Sequence, residues 1–205
     1  MALTFRLSLA LCAAGLTLAC GDSGTDPNPD GTERPPTSFE IVQLSTSTPI
    51  YNDSVSFYAR TTDDAEGIIY FQAAGGGRGE KFARIRIKKG ALLARPDGSP
   101  FAANDSILIV MKTTGPRDCQ VQLTPSGIKF SSKDPAELSL EYLGVTDFNG
   151  DGKVDGSDAA AEQKLAIWRQ ENPGEPYVKI GTVKIEGSSE LKAQLTSFSR
   201  YAISY

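Results

Sequence analysis

From Ser38 to Tyr205, apolar and polar side chains exchange places at every second residue in ten separate runs. These are SFEIVQLS (38–45), DSVSFYAR (53–60), GIIYFQA (67–73), EKFARIRIKK (80–89), DSILIVMKT (105–113), DCQVQLT (118–124), ELSLEYL (137–143), YVKIGTVKIEG (177–187), SELKAQLTSF (189–198) and RYAISY (200–205). A strand sends successive side chains to opposite faces, so this period predicts strands with one buried and one wet face. Clusters of turn formers such as TPIYND, RPDGSP, TTGPRD and ENPGEP separate the runs at short intervals. Many short strands without a long helix predict an all-β chain folded as an antiparallel β-sandwich. The run GGGRG (75–79) has no Lys-Ser or Lys-Thr pair opening a helix after it, so it reads as a hairpin turn and not as a phosphate cradle.

One stretch breaks the alternation. DFNGDGKVDGSD (147–158) crowds Asp147, Asp151, Asp155 and Asp158 into twelve residues. Like charges held this close repel, and gathering them costs free energy unless a cation intervenes. Their spacing fits a twelve-position calcium loop, with Asp147 at position 1, Asn149 at 3, Asp151 at 5, Gly152 at 6, Lys153 at 7, Asp155 at 9 and Asp158 at 12. Short oxygen-bearing side chains serve positions 1, 3 and 5, glycine permits the sharp turn at 6, and Lys153 would offer only its backbone carbonyl. Val154 is expected to point away from the ion into apolar packing. The hard oxygen set suits Ca²⁺ better than Mg²⁺, and a chain with no histidine is a poor zinc host.

Aspartate at position 12 makes the stretch resemble the calcium repeat of dockerins, which reads D-x-N-x-D-G-x-V-[ND]-x-x-D. A dockerin carries two such repeats. The only other candidate here, DPNPDGTERPPT from Asp26, departs from the pattern at Glu33, Arg34 and Thr37 and is stiffened by Pro27 and Pro29. The resemblance therefore implies a calcium loop, with a dockerin-like docking module of a surface polysaccharide-degrading assembly as an alternative. ELSLEYL leads into the loop from a strand. After it, Ser157 or Asp158 is expected to cap a short helix, which propensity alone would carry to Glu171 ahead of Asn172 and Pro173, and 146–164 is expected to be an insertion.

At the N-terminus an apolar run from Leu7 to Ala19 follows the single basic residue Arg6. It is shorter than the roughly 20 residues needed to span a bilayer, and it reads as an export signal over 1–19. TLAC resembles the bacterial lipobox, which implies lipid attachment at Cys20, an anchor in the membrane and an outer-membrane or cell-surface location. Residues 20–37 hold few apolar side chains and several prolines, so they read as a flexible tether ahead of a sandwich over 38–205. Losing Arg6 leaves 20 basic against 25 acidic residues, a formal charge of −5. No basic face dominates, which argues against nucleic acid as a partner. Cys119, in a strand pattern without a partner cysteine, reads as a small buried hydrophobe.

A second resemblance runs from about Asp63 to Tyr205. IRIKKGALLARPDGSPFAANDSILIVMK, LTPSGIKFSSKDPAELSLEY and LTSFSRYAISY look like the ZU-type β-sandwich of zonula occludens proteins, netrin receptors, ankyrins and bacterial lipoprotein relatives. Pro96, Gly98 and Phe101 match its turn-strand motif, and Phe198 to Ala202 match its terminal F-S-R-Y-A. Lys88 and Lys89 stand where prolines usually precede Gly90, Ala91 and Leu92. The resemblance implies that LAIWRQE is a strand paired with PYVKIG across the turn NPGE, with one or two helical turns before it. The family also implies a structural or protein-binding module, and fold alone does not license an activity. With no histidine, no base beside Cys119 and no G-x-S-x-G run, the chain is read as no enzyme. A carboxylate-dependent hydrolase is the remaining catalytic alternative.

Overall fold

The computed structural model of the chain describes residues 32–205. The expected leader (1–19), the lipidation candidate Cys20 and the tether up to residue 31 lie outside the described residues. In chain order the strands are β1 (Glu33–Arg34), β2 (Ser54–Arg60), β3 (Ala65–Gln72), β4 (Arg78–Ile87), β5 (Leu92–Ala94), β6 (Ser106–Thr113) and β7 (Gln120–Thr124). Then come β8 (Lys129–Phe130), β9 (Ala136–Glu141), the helix α1 (Gly156–Glu162), β10 (Ala166–Gln170), β11 (Tyr177–Lys179), β12 (Thr182–Lys184), β13 (Glu190–Leu195) and β14 (Arg200–Ser204). No described helix is long and apolar enough to cross a membrane.

The architecture is all-β and antiparallel, as the period-two pattern predicts. A seven-stranded sheet runs β1-β11-β10-β14-β7-β6-β2, a five-stranded sheet runs β12-β13-β9-β4-β3, and β5 pairs with β8. The sheets bury their inner faces against one another. Along β9, Ala136, Leu138 and Leu140 are fully buried while Glu137 and Glu141 stay partly exposed on the other face. Phe82, Ile85, Ile109, Leu123, Phe198 and Tyr201 join them in one cluster. Each fully buried side chain of this size stabilises the fold by about 2 kcal/mol. The GGGRG turn closes the β3–β4 hairpin, where the Ala73 N–H donates to the Gly77 carbonyl at 2.8 Å. Cys119 is fully buried with its thiol free, and burial pushes its ionisation far up, so it packs as a hydrophobe.

Two expected strands differ. SFEIVQLS (38–45) forms no named strand; only Gln43 makes an isolated bridge, to Asp118. The Val42 N–H donates to the Ile203 carbonyl, the Cys119 N–H to the Val42 carbonyl, and the Leu44 N–H to the Arg117 carbonyl. Val42 and Leu44 plug one end of the core at 1% exposure each. The alternation there records one-sided burial, which a segment lying across a sheet end needs as much as a ladder strand does. The run YVKIGTVKIEG divides at Ile180 and Gly181, with β11 in the larger sheet and β12 in the smaller. Buried Ile180, whose N–H donates to the Ile167 carbonyl at 3.1 Å, marks the crossing.

The packed chain also starts ahead of Ser38. β1 pairs antiparallel with β11, with Arg34 opposite Tyr177. A 3-10 turn at Pro36–Ser38 then brings Phe39 onto the outer face of the larger sheet. There Phe39 stacks on Tyr177 at 3.7 Å and meets Trp168 edge-on at 5.5 Å. Trp168 and Tyr177 are buried in a second cluster outside the sandwich core, with Ala166, Ala202 and Ile41.

Candidate metal site

The acidic stretch connects the two sheets. β9 belongs to the smaller sheet and β10 to the larger, and the chain crosses between them through residues 142–165. The crossing is seated by apolar anchors: Tyr142, Val145 and Phe148 before the helix, Ala161 within it and Leu165 after it. The Phe148 ring meets Tyr142 edge-on at 5.7 Å. Phe148 is the loop residue that enters the core. Val154, expected to do so, is 70% exposed. The space beneath the loop is already filled by Phe148, six positions earlier.

Backbone amides wind the loop around its own carboxylates. Asp147 accepts from the Gly150 N–H at 2.7 Å through one oxygen and from the Gly152 N–H at 2.9 Å through the other. Gly150 (φ 74°) and Gly152 (φ 81°) supply the left-handed backbone that this winding needs. Asn149 Oδ1 accepts from the Asp151 N–H, and Asp151 Oδ1 from the Lys153 N–H. Lys153 itself is exposed.

The helix cap differs from the expected one. Asp155, not Ser157 or Asp158, is the N-cap, and it accepts from the Ser157 N–H at 2.8 Å. Asp158 returns the bond by accepting from the Asp155 N–H at 2.9 Å, which completes a capping box. The hydrogen bonds from the Ser157 backbone and hydroxyl hold the Asp155 carboxyl below the usual carboxylate range. The pattern D-x-x-D over 155–158 carried this signal; reading both aspartates as ligands obscured it. Ser157, expected as a cap, instead ties the loop together: its hydroxyl donates to Asp155 and accepts from the Asn149 amide at 2.8 Å.

Asp158 is the buried member, at 3% exposure. Its oxygens also receive the Phe148 N–H at 2.7 Å and the Asn149 N–H at 3.4 Å. The Asp155 N–H foremost, with these two, holds its carboxyl below the ordinary 3.8 against the cost of burial. A carboxyl depressed in the folded state stabilises it fully above the ordinary value, and that contribution disappears as pH falls below it. Asp158→Ala is therefore expected to strip the acceptor from the Phe148 and Asp155 amides. Their hydrogen exchange should quicken by about an order of magnitude, while amides of β9 and β13 should not change; unaltered exchange at Phe148 would contradict this role.

Among the described residues no three His, Cys, Asp or Glu side chains come together as a metal site. The donor chemistry nevertheless fits a hard divalent cation. Asp147, Asn149, Asp151, Lys153 through its carbonyl, Asp155 and Asp158 occupy one curled loop and offer only oxygen. No basic side chain pairs with these four carboxylates among the described residues. Asp151 and Asp155 each use one oxygen for loop N–H or hydroxyl groups, and no donor among the described residues reaches the other. No family model, curated protein or solved structure matches the chain.

Proposed function

We propose that this chain is a non-catalytic, calcium-binding, lipid-anchored β-sandwich module of the bacterial cell envelope, acting in structure or protein binding. The observation that carries the calcium reading is the crossing itself: four carboxylates to which the described residues offer no basic partner sit on the β9–β10 connection between the two sheets. Bound Ca²⁺ supplies charge neutralisation, and Asp147, Asn149, Asp151, the Lys153 carbonyl, Asp155 and Asp158 would hold it. The chain's own residues already do the positioning: Phe148 anchors the loop, Gly150 and Gly152 turn it, and the Asp155–Asp158 capping box starts α1.

The two-sheet fold supports the ZU-type reading, and a module of that kind acts through its surface. Outer-membrane localisation through lipid on Cys20 rests on the leader and the lipobox-like TLAC. Nothing favours a dockerin-like docking helix. α1 has seven residues, exposes only the small Ala159 and Ala160 as apolar groups, and turns Ala161 inward.

Calcium at about ten times its dissociation constant would add roughly 1.4 kcal/mol of stability, with affinity toward the millimolar end found in extracellular modules. Isothermal calorimetry of the full chain should show one calcium-binding event, and the Asp147→Ala, Asp151→Ala double variant should show none. Absence of heat and of any thermal shift in the parent at about 10 mM Ca²⁺, above the weakest extracellular loops, would refute the reading.

A further inference from the structure

A second acidic arrangement stands at the loop end of β9, apart from the calcium loop. Strand register sets Glu141 of β9 directly opposite Glu190 of β13. Opposed side chains of an antiparallel pair have Cβ atoms about 5 Å apart, and like charges there weaken the pairing. Both residues are partly withdrawn from water: the Glu190 side chain is 19% exposed, and Glu141 is half-buried. No described donor reaches the Glu141 carboxylate.

The surrounding cations do not resolve the conflict. From β4, Glu80 adds a negative charge, while Lys81 and Arg84 add positive ones. Arg84 lies 3.8 Å from Glu137, on the far side of Ser139. From β13, Lys192 lies 3.7 Å from Glu190. Across the basin stand Glu162 of α1, Lys184 of β12 and Glu186 of the following turn, and Lys184 is paired with Glu162 at 3.1 Å. Burial first, then Glu190 and Glu80, push the Glu141 carboxyl up to about 7.

We propose that Glu141 and Glu190 form a proton-controlled clasp: a proton taken from solvent by Glu141 is donated as a hydrogen bond to the Glu190 carboxylate and closes this end of the β9–β13 ladder, and its release opens it. No other bond is made or broken. The corner matters because the last rung of the ladder, the Tyr142 N–H on the Ser189 carbonyl at 2.9 Å, lies next to the pair. The Tyr142 hydroxyl in turn donates to Glu162 at 3.4 Å, so the same corner seats α1.

The sign follows from linkage. Unfolded, Glu141 titrates at its ordinary 4.5; folded, at about 7. Between these values the folded chain holds a proton that the unfolded chain lacks. The stabilisation is complete below the lower value and is lost as pH rises through the upper one.

The test follows the ¹³C resonance of the Glu141 carboxyl and the thermal midpoint of the full chain from about pH 5.5 to about pH 8.5, with chelator present so that loop-bound cations contribute nothing. The expected result is a Glu141 midpoint near 7 and a wild-type melting temperature that falls as pH rises. Glu141→Gln should flatten that slope and melt higher than wild type at the alkaline end. Glu190→Gln, which keeps Glu141 in place, should return the Glu141 midpoint toward the ordinary range. A Glu141 midpoint at the ordinary carboxylate value in wild type, or a Glu141→Gln variant that keeps the wild-type slope, overturns the clasp.

Discussion

Replacing Phe148 with alanine is expected to lower the unfolding free energy by about 3–5 kcal/mol, the usual cost of truncating a core aromatic, and to free the acidic loop from the sandwich. Phe148 is 8% exposed and packs with Tyr142 and the main core. Its own N–H is held by Asp158, so the ring and the buried carboxylate fix the same residue from two sides. Removing the ring leaves a cavity and takes away the side chain that roots positions 147–155 in the core. Equilibrium urea unfolding measures the loss. A loss below about 1 kcal/mol, the range of a surface change, would show that the loop is held by its backbone bonds alone.

Phe39→Ala is expected to expose Trp168 and to cost about 2 kcal/mol, the burial energy of a ring that stays partly wet. Trp168 is the only tryptophan in the chain, so its emission reports on one place. It is 2% exposed, covered at its edge by Phe39, with the Arg34 guanidinium 4.7 Å from its ring centre. Loss of the Phe39 ring should shift the emission to the red before any global unfolding, because this cluster lies outside the sandwich core. An unshifted spectrum in the folded variant would mean that Arg34 and Ile41 cover the indole without Phe39.

Both predictions concern residues whose role the chain's pattern did not disclose. Phe148 sat inside a metal-loop motif in which the apolar position drew attention to Val154, and Phe39 sat in a run that alternates like a strand. Periodicity reports that a side chain is buried, and it cannot report which surface buries it. The pair Glu141 and Glu190 was equally hidden: each falls at an ordinary polar position of its own strand, and only the β9–β13 register sets them face to face.

Period two, turn spacing and the Asp-Gly chemistry of 147–158 are local properties, carried by neighbours within a few residues. They sufficed for an all-β antiparallel fold and for one short helix after the acidic loop; local propensity alone would have run that helix on to Glu171, where the chain forms β10. What lies between distant segments was decided by tertiary packing: the division of 177–187 between two sheets, the docking of Phe39 over Trp168, the seat of the loop on Phe148, and the opposition of two glutamates. Each depends on which faces meet once the core closes, and that choice is made by the summed burial of the whole chain rather than by any stretch of it.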